Sequence, residues 1–413
     1  MRLPSYYRFC SRVRTISGHN SLSRLPALLQ SLNASKPIII TDRGVQKAGL
    51  VKLVQAPLDA ASIVIPIIYT DVPSDSDVDT VNTIAHEYTK HNCDSIIAIG
   101  GGSVLDTAKG VNIIVSTTDM ERKYDIREFS GAGTIPHRLL PYIAIPTTAG
   151  TGSEVTIVAV IKDHAAKRKL LFTSYFLQPD IAILDPEMTL TLPPFLTAAT
   201  GMDALTHAIE AYTCLGKNPI SDGMAIQAIA LIMEHLEETV SHPDNPDGRL
   251  ALAVGSNLAG QAFSNSMVGM IHTIGHTVGS ICGVHHGACM SILLPYGLSY
   301  NYHKITRELE ELAPFIDHAV SAFEVIEHLQ DLNTRLFIAT NGAHKTRLHD
   351  VLNRNGSPAV RPEHLSLIAR ASLGDGSNFY NPEQLTYEDI LHVLEAAYWG
   401  YPLDRALIQQ GHA

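Results

Sequence analysis

A carboxylate and several imidazoles with the spacing of metal ligands stand in the second half of the sequence. Asp203 and His207 are four residues apart, and His272 and His286 follow further along the chain. A separation of four residues on a helix directs two side chains to one point, and one carboxylate with three imidazoles is a ligand set for a divalent transition metal. Each residue alone could instead cap a helix or lie in a satisfied pocket, but the four together predict a metalloenzyme.

The residues alone leave open which of the later histidines bind the metal, since His272, His276, His285 and His286 are all candidates. Neighbouring side chains diverge, so His285 and His286 are not both expected to be ligands. His272 and His276 have the spacing of the zinc-protease helix motif. The glutamate that serves as general base in that motif is missing, so hydrolysis by that mechanism is unsupported.

Two glycine-rich segments in the first half follow predicted strands. Residues 100–103 (Gly-Gly-Gly-Ser) precede a helical pattern, where close backbone approach and the helix N-terminus suit a phosphate. This segment matches neither the dinucleotide fingerprint nor the P-loop, so a simple tight turn is an equal alternative. Residues 146–154 add threonine hydroxyls beside two glycines. Ligands bind at the carboxyl ends of strands in an open parallel sheet, so both segments are expected to face one crevice.

Asp42 stands at the end of an earlier predicted strand. An acidic residue in that place typically accepts hydrogen bonds from a ribose diol and repels a 2′-phosphate, which favours NAD over NADP. An aspartate that caps a turn or a helix fits the sequence equally well, because Asp is a favoured residue at both places.

Short aliphatic runs alternate with helical patterns over about the first 185 residues, which predicts a Rossmann-like parallel sheet covered by helices on both faces. Pro193 and Pro194 mark a boundary, and the Ala-, Leu- and Ile-rich stretches after it predict an all-α domain. We therefore expect an α/β dinucleotide-binding domain at residues 1–190 and a helical metal-binding domain at residues 191–413. The predicted strands are residues 37–42, 63–69, 95–99, 142–145 and 181–184, with a first strand over residues 6–16 in place of a transit peptide.

Composition narrows the classes of function. The chain has 413 residues, 45% of them hydrophobic, and a formal net charge of −11. This charge disfavours nucleic acid as a partner, because phosphate neutralisation requires a basic face. The aliphatic runs are shorter than the roughly 20 residues that span a bilayer, so no membrane association is expected. Five cysteines, an odd number without a CxxC pair, fit a reducing cytoplasm better than a disulfide framework.

With these motifs assembled, the sequence resembles the iron-containing (group III) alcohol dehydrogenases, the family that includes lactaldehyde reductase and 1,3-propanediol dehydrogenase. The resemblance runs from about Lys36 to Tyr398. The order of the matching motifs along the chain and the spacing between them make the resemblance specific. The matching motifs are residues 40–42, 100–109, 146–156, 199–210, 272–287 and 375–382.

The resemblance implies a dehydroquinate synthase-like fold and a set of functional residues. The metal would be iron, although the ligand types suit zinc equally. His276 would lie close to the nicotinamide without binding the metal. The implied metal ligands are Asp203, His207, His272 and His286. The implied contacts to NAD are Asp42, Gly101, Gly102, Ser103, Asp106, Thr147, Thr148, Thr151 and Lys169.

The sequence therefore predicts a cytoplasmic, NAD-dependent alcohol dehydrogenase, expected as a homodimer, that interconverts a small alcohol and its aldehyde or ketone. The metal would act as a Lewis acid, the nicotinamide would exchange the hydride, and His276 would pass the proton to solvent. A related metal-dependent lyase or phosphatase of the dehydroquinate synthase-like superfamily is the alternative. A non-enzymatic binding module would leave the metal ligands unexplained.

Overall fold

The computed structural model describes residues 4–117, 125–166 and 168–403. The chain divides into two compact units. One unit spans Cys10–Leu192, and the other comprises the described residues from Pro193 onward together with those before Cys10. We call the first the α/β unit and the second the helical unit.

The described residues of the α/β unit form nine strands and five helices. The strands are β1 (Arg14–Ser17), β2 (Pro37–Thr41), β3 (Ile67–Tyr69), β4 (Ser95–Gly100), β5 (Gly131–Ala132), β6 (Tyr142–Pro146), β7 (Val158–Asp163), β8 (Arg168–Thr173) and β9 (Ile181–Leu184). The helices are α1 (Leu25–Ser31), α2 (Arg43–Lys47), α3 (Leu50–Ala60), α4 (Val78–Lys90) and α5 (Gly102–Thr117).

Six of these strands form one parallel sheet in the order β1-β9-β6-β4-β2-β3. Alternate side chains of β2 enter different cores, since Ile38 and Ile40 pack in one buried cluster and Ile39 packs in the other. A strand buried on both faces requires apolar residues at every position, which is why β2 reads Pro-Ile-Ile-Ile-Thr. The parallel sheet predicted from these runs is confirmed.

Two predicted strands are wrong in extent. The strand expected over residues 63–69 begins only at Ile67, immediately after Pro66, which has no backbone N–H to donate to the sheet. The strand expected over residues 6–16 is limited to Arg14–Ser17, because its partner β9 offers only four residues for pairing. The antiparallel β7–β8 pair, which forms a small second sheet with β5, was not predicted.

The helical unit contains eight longer helices among its described residues. They are α6 (Pro194–Thr213), α7 (Pro219–Ser241), α8 (Pro246–Ser266), α9 (Met270–Cys282), α10 (His286–Leu312), α11 (Ala322–Ala339), α12 (Pro362–Ser372) and α13 (Tyr387–Trp399). The predicted all-α character of this region is confirmed. No helix in the described part of the chain is both long enough and apolar enough to cross a membrane.

Candidate active site

Three helices carry the predicted metal ligands. Asp203 and His207 lie one turn apart on α6, His272 lies near the start of α9, and His286 is the first residue of α10. The start of α10 packs closely on α6, because a Cβ atom at Gly287 would lie 2.2 Å from the carbonyl oxygen of Ala199. Only glycine allows that close approach of the two helices. Gly287 therefore lets the neighbouring His286 lie close to Asp203 and His207 on α6.

The structure brings the four predicted ligands together. One ligand atom each of Asp203, His207 and His272 can be chosen so that all three lie within 4.8 Å of one another. The Oδ1 atom of Asp203 is 3.7 Å from His207 Nδ1 and 3.9 Å from His272 Nε2. It is 3.3 Å from Nε2 of His286, whose side chain is 37% exposed and therefore open to small molecules on one side. The ring of Phe263 stacks on His207 at 4.2 Å between centroids and holds that imidazole in its orientation.

The buried polar atoms of this cluster fit a bound cation. Asp203 Oδ1, His207 Nδ1 and His272 Nε2 are buried and have no hydrogen-bond partner among the described residues. A buried polar atom without a partner costs about 1–3 kcal/mol, and three such atoms directed at one place are rarely tolerated without a ligand. A divalent metal bound by a carboxylate and imidazoles would satisfy all three.

The protonation states favour metal binding. Burial lowers the pKa of His207 to about 3 and holds the pKa of His272 well below its usual value. Both rings are therefore neutral at pH 7 and have a lone pair to offer. Burial acts to raise the pKa of Asp203, but the neighbouring imidazoles of His207, His286 and His272 more than offset it, so the carboxylate stays ionised.

Glu210 is a residue of this site that the sequence analysis missed. It is buried on α6, and its carboxylate accepts hydrogen bonds from Nδ1 of His272 and from the backbone N–H of Ile271. With the proton held on Nδ1, Nε2 of His272 keeps its lone pair for a metal. Glu210 lies three residues after His207 on the same helix, and that spacing was the signal that could have found it.

His276, the predicted proton carrier, lies on α9 one turn after His272. Its Nδ1 atom is 3.0 Å from Oδ2 of Asp375, and its side chain is 45% exposed. Burial acts to raise the pKa of Asp375, but the hydrogen bond and charge of His276, with the N–H of Ser377, lower it overall. Asp375 occurs in a motif noted in the sequence, but its contact with His276 was not foreseen. His285, the remaining candidate, lies edge-on to Phe195 with 5.9 Å between ring centroids.

The two predicted phosphate-binding segments lie side by side in the α/β unit. We call residues 100–103 the glycine turn. The second predicted segment, residues 146–154, is part of a longer stretch, residues 146–156, that we call the threonine loop. The backbone N–H of Thr147 donates to the carbonyl of Gly100 at 3.1 Å. A Cβ atom at Gly102 would lie 2.9 Å from Cγ2 of Thr151, and one at Gly101 would lie 3.4 Å from Thr148. The glycines therefore allow the two segments to pack together at the carboxyl ends of β4 and β6.

Several predicted dinucleotide contacts already have partners within the protein. Asp42 caps α2 by accepting a hydrogen bond from the backbone N–H of Val45 at 2.9 Å. The helix cap given as an alternative for this residue is therefore present. The hydroxyl of Ser103 donates to the carbonyl of Ser74. Asp106 accepts from the hydroxyl of Ser153 at 2.7 Å and from the N–H of Val160 at 3.0 Å. Lys169 lies exposed on β8, opposite Lys162 of β7.

Comparison with known proteins agrees with the motifs. The family model described as iron-containing alcohol dehydrogenase matches residues 13–186, and the model of the C-terminal part of the same family matches residues 197–398. The chain is 32% identical over 387 residues to the NAD-dependent methanol dehydrogenase of Bacillus methanolicus, covering 93% of this chain and 97% of that protein.

Solved structures show the same relationship. A crystal structure of 1,3-propanediol oxidoreductase matches with a TM-score of 0.87 at 30% identity, covering 95% of this chain and 100% of that one. The NAD+ complex of sulfoacetaldehyde reductase from Bifidobacterium kashiwanohense matches with a TM-score of 0.84 at 26% identity, covering 95% of this chain and 99% of that one.

The chain belongs to the iron-containing alcohol dehydrogenase family. The resemblance inferred from its motifs is therefore confirmed, and so is the dehydroquinate synthase-like fold that this family has. The chain is an oxidoreductase of the alcohol dehydrogenase class, which confirms the predicted kind of enzyme.

Proposed function

We propose that this chain is an iron- and NAD-dependent alcohol dehydrogenase that interconverts a small alcohol and its aldehyde or ketone. The observation that carries the proposal is the buried cluster of Asp203, His207 and His272, whose three polar atoms point at one place without partners. The names of the relatives support the reaction, since one is a methanol dehydrogenase and another is a 1,3-propanediol oxidoreductase.

Asp203, His207, His272 and His286 would hold the metal. When bound, the metal supplies a Lewis acid for the substrate oxygen, and the nicotinamide supplies or accepts the hydride. Asp203 contributes the one negative charge among these ligands, which leaves the site able to attract a further electron-rich oxygen. Glu210 fixes the tautomer of His272, so the lone pair on Nε2 of His272 stays available to the metal.

His276 would carry the proton between the substrate and solvent. Asp375 accepts a hydrogen bond from the N–H at Nδ1 of His276, so Nε2 is the nitrogen that would exchange a proton. The side chain is nearly half exposed, and water can therefore reach it. Neither residue needs to bind the metal for this role.

The dinucleotide would bind in the α/β unit at the glycine turn and the threonine loop. Residues 1–190 would accordingly form the dinucleotide-binding domain and residues 191–413 the metal-binding domain. The side chain of Asp42 would favour NAD over NADP, because a 2′-phosphate beside a carboxylate would meet a like charge. The proposed contacts are Asp42, Gly101, Gly102, Ser103, Asp106, Thr147, Thr148, Thr151 and Lys169.

We also propose a homodimer located in the cytoplasm. The five cysteines are odd in number and include no CxxC pair, which fits a reducing compartment. The family resemblance is what supports the dimer, and size-exclusion chromatography with light scattering would test it.

Elemental analysis of anaerobically purified protein, followed by a panel of alcohols with NAD+ and with NADP+, tests the proposal. We expect one equivalent of iron per chain and an increase in reduced-nicotinamide absorbance with small alcohols. A metal-loaded protein that cleaves or dephosphorylates a substrate without any net change in the nicotinamide would instead support the lyase or phosphatase alternative.

A further inference from the structure

Lys109 is a fully buried cation in the α/β unit to which the proposed reaction assigns no part. It lies in α5, two turns after the glycine turn, and its side chain has no exposed surface. Its ammonium group donates to Ser153 Oγ at 3.0 Å, to Thr156 Oγ1 at 2.8 Å and to the carbonyl of Val158 at 2.7 Å. Lysine has three N–H donors, so each one has an acceptor.

All three acceptors lie in or directly after the threonine loop. The hydroxyl of Ser153 accepts a hydrogen bond from Lys109 and donates one to Oδ1 of Asp106, which lies one turn before Lys109 on α5. Asp106 also accepts the N–H of Val160. Two side chains of α5 therefore hold the loop at one point, and both bonds to Ser153 use a charged partner, which makes them stronger than neutral hydrogen bonds.

The buried charge has a cost that the contacts must offset. Burial lowers the pKa of Lys109 to about 8, while the charges of Asp106 and Glu154 act in the opposite direction. Asp106 itself is 3.7 Å from the ammonium, further than the three loop oxygens. Three uncharged oxygens, those of Ser153, Thr156 and Val158, therefore lie closer to the ammonium than the carboxylate of Asp106, with which Lys109 also forms an ion pair.

The same helix presents its N-terminus at the glycine turn, which packs against Thr148 and Thr151 of the loop. We propose that Lys109 is a positioning residue for dinucleotide binding, which holds the threonine loop against α5 so that the loop and the glycine turn present their backbone N–H groups together. This inference rests on the proposed dinucleotide site. Lys109 has no exposed atom with which to contact the cofactor and acts only through the loop.

Lys109→Met tests the proposal, because it keeps the length of the side chain and removes the three donors. We expect the Kd for NADH, measured by titration of the purified, metal-loaded protein, to rise about tenfold or more. The KM for NAD+ should rise in parallel, while kcat at saturating NAD+, the KM for the alcohol and the iron content stay within about twofold of the wild type. Lys90→Met, an exposed lysine of α4 in the same unit, is the matched control and should change none of these values.

Two further variants keep the test decisive. If Lys109→Met does not fold, Thr156→Val removes a single acceptor with nearly the same shape, and a severalfold rise in the Kd for NADH is expected. The double variant Lys109→Met/Asp106→Asn should keep the raised Kd for NADH, because the threonine loop still lacks the three N–H donors of Lys109. Restoration of wild-type affinity in the double variant would show that Lys109 only neutralises Asp106 and would overturn the proposal.

The outcomes separate this inference from the proposed function. A wild-type protein that binds no NADH contradicts the dinucleotide site itself. A wild-type protein that binds NADH, together with Lys109→Met or Thr156→Val variants that bind it equally well, contradicts only the role of Lys109. A loss of kcat and iron in step with the loss of NADH affinity would also overturn the proposal, because it indicates general destabilisation.

Discussion

Two candidate sites use their polar side chains in opposite ways. One is the metal cluster of the helical unit (Asp203, His207, His272 and His286), and the other is the pair of dinucleotide segments of the α/β unit, the glycine turn and the threonine loop. In the metal cluster, Asp203, His207 and His272 each leave one buried polar atom without a partner. At the dinucleotide segments, Ser103 of the glycine turn and Asp106 on the next turn of α5 have their side-chain atoms bonded within the protein. The first arrangement suits a ligand that is bound by side chains, and the second suits one that is bound by the backbone.

This difference follows from the ligands. A metal ion requires lone pairs from side chains at fixed positions, so its ligands must be left unsatisfied until it binds. A pyrophosphate is larger and is held well by several backbone N–H groups at a helix N-terminus. Single substitutions should therefore abolish function in the metal cluster and only weaken binding in the dinucleotide segments.

The largest effect is expected for His272→Ala. Loss of this buried ligand should remove the iron and reduce turnover to background, because the remaining ligands no longer enclose the ion. NADH binding should persist, since the glycine turn and threonine loop lie in the other unit. Iron analysis and fluorescence titration with NADH measure the two properties on one sample.

His392→Ala, at a half-buried histidine of α13 in the same unit, is the control and should keep both iron and turnover. Glu210→Gln keeps the shape of the side chain but weakens its hold on His272, so metal affinity should fall about 10- to 100-fold. A His272→Ala protein that retained a full equivalent of iron would show that the ligand assignment is wrong.

A smaller effect is expected for His276→Ala. This variant should keep its iron and lose about 100-fold in kcat, as expected for a group that transfers a proton without binding the metal. Asp375→Asn should have a weaker effect of the same kind, because it orients His276 rather than replacing it. Iron loss as large as that in His272→Ala would instead make His276 a ligand.

Asp42→Gly tests the proposed preference of the dinucleotide site for NAD+ over NADP+. Removal of the carboxylate should raise kcat/KM with NADP+ by about tenfold or more and lower it modestly with NAD+. Asp42 also caps α2, so a glycine there should reduce the free energy of unfolding by a few tenths of a kcal/mol. Asp42→Asn retains a capping oxygen without the charge and separates the two effects. Equal use of both cofactors by the wild type would show that Asp42 is only a cap.

The smallest effect on activity is expected for His344, a buried imidazole of the helical unit that lies outside the metal cluster. Its Nε2 atom is 2.8 Å from the hydroxyl of Ser291, and burial lowers its pKa to about 4. The unfolded chain binds this proton near pH 6.5, so the stabilisation is complete above that pH and is lost as the pH falls towards 4.

Urea unfolding at pH 7.5 and pH 4.5 measures this contribution. In His344→Gln, the loss of unfolding free energy between the two pH values should be smaller than in the wild type by on the order of 2 kcal/mol. Iron content and turnover at pH 7.5 should be unchanged. Equal losses in the two proteins would show that His344 does not take up its proton on unfolding.

The amino-acid sequence by itself determined the features that depend on residue type and local spacing. The four-residue separation of Asp203 and His207 is enough to place them on one face of α6. Apolar runs such as residues 38–40 predict a strand that is buried on both faces, and every residue of β2 is buried in the structure. Prediction failed at Ile67 and Arg14, where Pro66 and the short partner strand β9 set the limits of pairing.

Only the tertiary structure decided which polar atoms are bonded and which are left free. Glu210 and His272 are 62 residues apart in the chain, and His276 and Asp375 are 99 residues apart. Spacing carries no information about such pairs, because their contact depends on how helices pack. The same holds for Lys109, because nothing in the local sequence shows that this lysine is fully buried and bonded to residues 153–158.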